Sequence, residues 1–235
     1  MGEILVMSAT AFEQQVLREQ MVKGVRREVA AREWVSGRIN EREVLLLATG
    51  IGAVNTAHAL TCVLQATRPE WVLQVGVGGA YPSSGLRVGD LALANEEWYG
   101  DMGVRTAEGW QGAELIGIPV LQKATTYFNR FPLDDAWVQK AVGILPEATV
   151  GAFVSVQECS GTDALGIERE ERFDGVCENM EGAAAAHMCA LYEVPFVEVR
   201  AMSNRVEARD RDAWDLPLAL AESQAAALRL LQEVI

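Results

Sequence analysis

The run Glu178-Asn179-Met180-Glu181-Gly182-Ala183-Ala184, followed nineteen residues after Glu181 by Arg200 and then by Ser203-Asn204, decides how this chain is read. A carboxylate opens an Ala-rich helix predicted over Gly182 to Tyr192, an apolar strand follows over Pro195 to Val199, and polar side chains stand at its end. In an open α/β sheet, ligands bind beyond the carboxyl ends of the strands, so Arg200, Ser203 and Asn204 are placed to meet one. Glu181 stands where Gly175 to Asn179 turns into the helix, and a helix N-terminus favours an ionised carboxylate. Taken singly, a helix-start carboxylate and a turn asparagine need no ligand at all.

Working outward, short runs rich in Val, Leu and Ile recur at Ile4 to Met7, Val44 to Ala48, Trp71 to Val77, Asp90 to Ala94 and Thr149 to Val156. Such runs read as strands buried on both faces. Amphipathic segments lie between them: Phe12, Val16, Leu17 and Met21 share one helical face, and Val54 to Leu64 and Leu218 to Val234 form further helices. Strands alternating with helices imply an α/β chain with a mostly parallel sheet covered on both sides. Ser36-Gly37 and Asn40-Glu41 punctuate an alternating stretch from Glu28 to Leu47, which predicts an antiparallel pair in a mixed sheet. Glu96 to Arg130 has no sustained period; its Trp98, Tyr99, Trp110, Tyr127 and Phe128 would fill core, cover a site or form a subunit contact.

With 235 residues and 50% apolar content, the chain is expected to fold as one domain, 1–235. A net charge of -13 argues against nucleic acid or an anionic membrane as partner and favours a small substrate. The N-terminus lacks a signal-peptide pattern and no apolar run approaches membrane-spanning length, so a soluble, cytoplasmic protein is expected. Cysteines 62, 159, 177 and 189 show no CxxC spacing and the two histidines, His58 and His187, are far apart, so no metal site is expected. The cysteines read as small buried hydrophobes, with Cys159 in a polar loop that could line a pocket.

Three glycine-bearing turns are predicted to follow strands: Thr49-Gly50-Ile51-Gly52, Gly76-Val77-Gly78-Gly79 and Ser160-Gly161-Thr162. Glycine lets backbone N–H groups approach a nucleoside or phosphate closely. None matches the dinucleotide fingerprint followed by a helix, and no Gly-Lys-Ser/Thr occurs, which removes NAD and ATP roles.

The order of these segments, with Val88-Gly89-Asp90, Met180-Glu181 and Val194-Pro195-Phe196 through Arg200 to Ser203, resembles the nucleoside phosphorylase and nucleosidase superfamily. Its methylthioadenosine/S-adenosylhomocysteine nucleosidase branch is the most similar part, over nearly the whole chain. The resemblance implies a three-layer αβα sandwich around a twisted mixed sheet, no metal or organic cofactor, and a homo-oligomer, dimeric or higher. Residues 178–184, Ser203-Asn204 and 209–215 are most similar to a branch that releases hypoxanthine from a nucleoside bearing a benzoate side chain at its 5′ end, on the way to menaquinone.

Roles carried over by that resemblance are these. Glu13 matches a carboxylate that orients and deprotonates the attacking water, and Glu181 one that holds ribose hydroxyls with Met180 under the sugar. Arg200 and Ser203 match partners that hold the carboxylate and the base-binding side chain. Ile51, Val77, Gly79, Cys159 and Ser160 match the lining of the nucleoside pocket. For Glu13, an acid in the first turn of a helix is the plain alternative. Arg209 or Arg211, beside Trp214, would meet the substrate's carboxylate bidentately or else sit in a solvated salt-bridge loop.

One departure carries information. Where methylthioadenosine nucleosidases have an aspartate that meets purine N7, this chain has Asn204. A carboxamide can donate to O6 and accept from an N7–H, which matches a departing 6-oxopurine. A 6-oxopurine riboside is therefore the expected substrate. The rivals are a phosphorylase, a methylthioadenosine nucleosidase and a non-catalytic nucleoside binder. The first would need a basic, hydroxyl-lined phosphate cradle, and the turn Ser8 to Glu13 has no Arg.

Overall fold

The computed structural model describes residues 2–208 and 210–233. Its first half runs β1 (Ile4–Ser8), α1 (Gln15–Gln20), β2 (Val22–Val29), β3 (Arg32–Ile39), β4 (Arg42–Ala48), α2 (Ala53–Ala66), β5 (Trp71–Ala80) and β6 (Leu91–Tyr99). Four short strands, β7 (Gly103–Thr106), β8 (Gly109–Gly112), β9 (Leu121–Gln122) and β10 (Thr126–Tyr127), pair as two small antiparallel hairpins outside the main sheet. The chain then continues through β11 (Arg130–Pro132), α3 (Asp135–Ile144), β12 (Thr149–Ser155), α4 (Asp163–Phe173), β13 (Gly175–Asn179), α5 (Gly182–Tyr192), β14 (Phe196–Arg205) and α6 (Leu216–Glu233).

Ten strands form one mixed sheet in the order β11-β6-β12-β13-β5-β1-β4-β3-β2, with β14 between β5 and β6. The apolar runs are its parallel centre: β1 lies between β4 and β5, and β14 runs parallel to β5. Alternate side chains of β1 face opposite layers, as strand geometry requires. Ile4 and Val6 join a core with Leu17, α3 and α6, whereas Leu5 and Met7 join one with α2 and α5. This is the α/β architecture with helices on both faces of a mixed sheet.

Several local expectations are corrected. Ser36-Gly37 is not a turn but lies within β3; the hairpin turns are Ala30-Ala31 and Asn40-Glu41, all at positive φ. A Cβ on Gly37 would lie 2.6 Å from the Met21 side chain, so packing rather than chain reversal demands the glycine. The helix after β1 is short, with Leu17 buried, Phe12 52% exposed in a 3-10 turn and Met21 beyond its end. The run from Asp90 to Ala94 belongs to a longer strand, Leu91 to Tyr99, and Gly175 to Asn179, which leads into α5 as expected, is itself a strand. Helices α3 and α4 were not foreseen. Of the aperiodic stretch's aromatics, Tyr99 and Tyr127 pack on Phe131, and Trp98 and Trp110 pack on Phe173.

The largest correction concerns Gly76 to Gly79, which is no loop but the last part of β5. A Cβ on Gly76 would come within 2.7 Å of Glu13, one on Gly78 would overlap Cys177, and one on Gly79 would press on Val206 at 2.8 Å. The strand is bare because its neighbours occupy the space above it.

Candidate active site

Strand β14 occupies one edge of β5 from Val72 to Ala80. On the other edge, β1 pairs only as far as Gln74 and β13 begins at Gly79. The interval has no strand partner there. At its middle residue, Val77 N–H donates to Glu13 Oε1 at 3.3 Å, and Arg200 Nη1 donates to Val77 O at 2.8 Å. Unpaired buried backbone groups are costly, so this gap fixes both side chains where the sheet splays.

Above the gap lies a cavity of about 300 Å³. Glu13, Ile51, Val77, Gly79, Cys159, Ser160, Met180, Glu181, Arg200, Ser203 and Asn204 all line it. Every site residue expected from the sequence is therefore brought together except Arg209, which lies outside the described residues. Arg211 is exposed and is not part of the lining. Arg205 lines the cavity, and Trp214 and Leu216, just before and at the start of α6, also line it.

Arg200, Ser203 and Asn204 do not stand past a strand end, because β14 continues to Arg205. Arg200 is buried and donates to Glu181 Oε2 at 3.3 Å and Glu198 Oε1 at 2.7 Å. Burial pulls its pKa down, but these two carboxylates outweigh that and raise it, so it is a fixed cation. Ser203 Oγ donates to Asn204 Oδ1 at 2.8 Å, while Asn204 Nδ2 donates to Arg205 O at 2.9 Å. One amide hydrogen and one oxygen lone pair remain for a ligand.

Glu181 stands at the N-cap position of α5, but its side chain makes no capping hydrogen bond there. Its Oε1 accepts from Gly52 N–H at 3.0 Å, the residue before α2, whereas Asn179 Oδ1 takes Glu181 N–H and Gly182 N–H at the start of α5. The carboxylate thus meets the N-terminus of α2, not that of α5. Gly50 and Gly52 have φ near +90°, a conformation glycine adopts at little cost, and this turns the Gly52 N–H inward.

Glu13 is 4% exposed, and its Oε2 accepts from Thr10 N–H and Thr10 Oγ1, both at 2.8 Å. Burial raises its pKa, opposed by the Thr10 hydrogen bonds and by Arg200. A buried carboxyl with raised pKa and a free lone pair beside a cavity is suited to general base work near neutrality. The Thr10 hydroxyl is used on Glu13 and that of Ser8 on Thr10 O at 2.7 Å, so neither is free to hold a phosphate.

Sequence reading missed what lies beneath. Glu97 on β6 and Glu198 on β14 are fully buried, and Glu97 accepts from Asn179 Nδ2 at 2.7 Å and Ser155 Oγ at 2.9 Å. Burial, then the neighbouring Glu198, raises the Glu97 pKa well above the carboxylate range. Burial raises the Glu198 pKa as well, so the pair is held toward its neutral form, and Glu198 Oε2 accepts no hydrogen bond from the described residues. Glu198, set between Val197 and Val199 in an apolar run, was the available signal, whereas Glu97 follows Asn95 and Glu96 and gave none. Also missed was Glu178, a cavity-lining carboxylate bound to Ser160, Tyr81 and Arg169.

Among the described residues, no group of three or more His, Cys, Asp or Glu is arranged to hold a metal, and no helix is long and apolar enough to cross a membrane.

Comparisons agree with this geometry. Residues 3–235 match the family model described as the phosphorylase superfamily. The chain is 36% identical to futalosine hydrolase of Thermus thermophilus over 189 residues, 80% of each protein. It is 30% identical to 5′-methylthioadenosine/S-adenosylhomocysteine nucleosidase of a Geobacillus species over 86% of this chain and 85% of that one. The nucleosidase of that name from Neisseria meningitidis, solved with methylthio-immucillin-A, superposes over 100% of both chains with a TM-score of 0.86 at 24% identity, a likeness of fold. The chain belongs to the phosphorylase superfamily, among the nucleosidases that hydrolyse the N-glycosidic bond of purine nucleosides.

Proposed function

We propose that this nucleosidase hydrolyses futalosine, releasing hypoxanthine and dehypoxanthine futalosine in menaquinone biosynthesis. The observation that carries the reading is Asn204 in the cavity wall, with its carboxamide oxygen tied to Ser203 and an amide hydrogen left over. Donation to O6 and acceptance from N7–H suit a 6-oxo base as it departs, with the N7 proton delivered by solvent water because a carboxamide has none to give. The Thermus relative bears the corresponding name.

In this mechanism positive charge spreads over C1′ and the ring oxygen of the ribose as the bond to the base breaks. Glu13 orients a water and takes its proton, and Glu181 accepts from the ribose hydroxyls while Met180 packs beneath the sugar. Arg200 keeps Glu181 in place through the contact at 3.3 Å. Cys159, Ser160, Ile51, Val77 and Gly79 complete the wall. Arg209 is the proposed partner of the substrate's carboxylate, and the active unit is a homo-oligomer in the cytoplasm.

A second reading, cleavage of methylthioadenosine or S-adenosylhomocysteine, is favoured by the Geobacillus relative. Incubation with futalosine, aminofutalosine, methylthioadenosine and inosine, with and without phosphate, followed by chromatography of the released base, separates the readings. Hypoxanthine from futalosine, unaffected by phosphate, is the expected result. Faster adenine release from methylthioadenosine would overturn the futalosine reading, and stimulation by phosphate would make the enzyme a phosphorylase.

A further inference from the structure

Glu178 takes no part in the chemistry above, yet its carboxylate lines the same cavity. Strand register fixes where it stands. Glu178 on β13 lies opposite Gly79 on β5, and Asn204 on β14 lies opposite Gly79 from the other side. Residues directly opposite one another project from the same face of a sheet, so the two side chains flank a strip of backbone that carries no Cβ.

The hydrogen bonds of Glu178 are unequally shared. Its Oε2 is crowded, accepting from Ser160 Oγ at 2.6 Å, Tyr81 Oη at 3.2 Å and Arg169 Nη1 at 3.3 Å. Oε1 accepts only from Ser160 N–H at 2.8 Å. A carboxylate oxygen offers about two acceptor positions, so one at Oε1 remains. All its neighbours are donors, and Arg169, itself buried, also donates to Glu158 O at 2.7 Å and Ser160 Oγ at 2.9 Å. This holds the carboxylate rigidly as an acceptor at the cavity wall.

We propose that Glu178 Oε1 accepts the N1–H of a 6-oxopurine, so that Glu178 and Asn204 together read the base from the two sides of O6. This rests on the 6-oxo reading given above. Hypoxanthine carries N1–H beside O6, whereas adenine presents a bare N1 acceptor beside an amine. A bare N1 opposite Glu178 sets two acceptors face to face, and a buried acceptor left unpaired is penalised heavily. Asn204 alone reads the N7 and O6 edge; Glu178 adds the neighbouring edge, where the two purines differ in the sense of the hydrogen bond.

The test compares kcat/KM for futalosine and its 6-amino counterpart in the wild type and in Glu178→Gln, whose amide can donate to a bare N1. Wild type is expected to favour the 6-oxo substrate. The variant should lose on the order of 10²-fold on futalosine and less than about fivefold on the 6-amino compound, collapsing the ratio. Equal losses on both would assign Glu178 only to holding the 158–162 loop and overturn the proposal while leaving the futalosine reading intact. A wild type that prefers the 6-amino substrate overturns both. Because Arg169 loses a buried counter-charge in the variant, a second measurement uses wild type alone: hypoxanthine should inhibit at least about 10²-fold better than 1-methylhypoxanthine, and equal inhibition would refute the contact.

Discussion

Gly182→Ala should destabilise the protein, although helix propensity alone predicts the reverse. Gly182 opens α5 and its φ is not positive, so alanine there is conformationally acceptable and would gain up to about 1 kcal/mol in a helix interior. The obstacle is the buried carboxyl pair: a Cβ at this position would overlap Glu97 Oε1 and Glu198 Oε2. Neither can retreat, since Glu97 is held by Asn179 and Ser155 and Glu198 by Arg200. Overpacking costs about 1–3 kcal/mol, and displacing one of the buried polar groups from its partner costs about 1–3 kcal/mol more. A net loss of roughly 1–5 kcal/mol remains after the helix gain. Denaturant unfolding of wild type and variant, followed by circular dichroism at fixed pH, measures it as a drop in midpoint with unchanged slope. A variant as stable as wild type, or more so, would refute the claim that these carboxyls are immovable.

Glu13→Gln should remove most turnover, on the order of 10²-fold or more, while leaving nucleoside binding within a few-fold of wild type; undiminished turnover would exclude Glu13 as the base. Because a base works deprotonated and burial raises the Glu13 pKa, kcat/KM in wild type should fall as pH drops through a value above the usual carboxylate range, and a pH–rate profile should lack that limb in the Gln variant. Thr10→Val deletes a hydroxyl that favours the ionised form, so the same limb should move to higher pH; a shift to lower pH contradicts the assignment. Asn204→Asp should lower kcat/KM for the 6-oxo substrate by about 10²-fold and narrow its advantage over the 6-amino one, read by competition between the two.

The centre of the sheet was legible because β1, β4, β5 and β12 bury both faces and so appear as unbroken apolar runs. Helix α4 was not, since Asp163–Phe173 is dominated by charge and only Gly166, Arg169 and Phe173 are buried. Its reason for existing is tertiary: Arg169 reaches Glu178 and the Glu158 carbonyl. The glycines of β5 were mistaken for a turn because glycine is the ordinary mark of one. Here the signal had another source, the close approach of Glu13, Cys177 and Val206, which no local pattern encodes. Within the site, the positions of Glu13, Glu181 and Asn204 were readable from motif order, while Glu97, Glu178 and Glu198 depend on which strands become neighbours. Three glutamates scattered over more than a hundred residues carry no spacing that periodicity can detect.

Trp214 gives the molecule an optical handle. Of the six tryptophans, Trp34 and Trp71 are sealed in the cores, and Trp214 is the one in the cavity wall. A purine or a benzoate-bearing arm settling against that indole would alter its emission, so occupancy could be followed in real time without a label. Replacing Trp214 by Phe would silence the signal and leave the other five as a constant background.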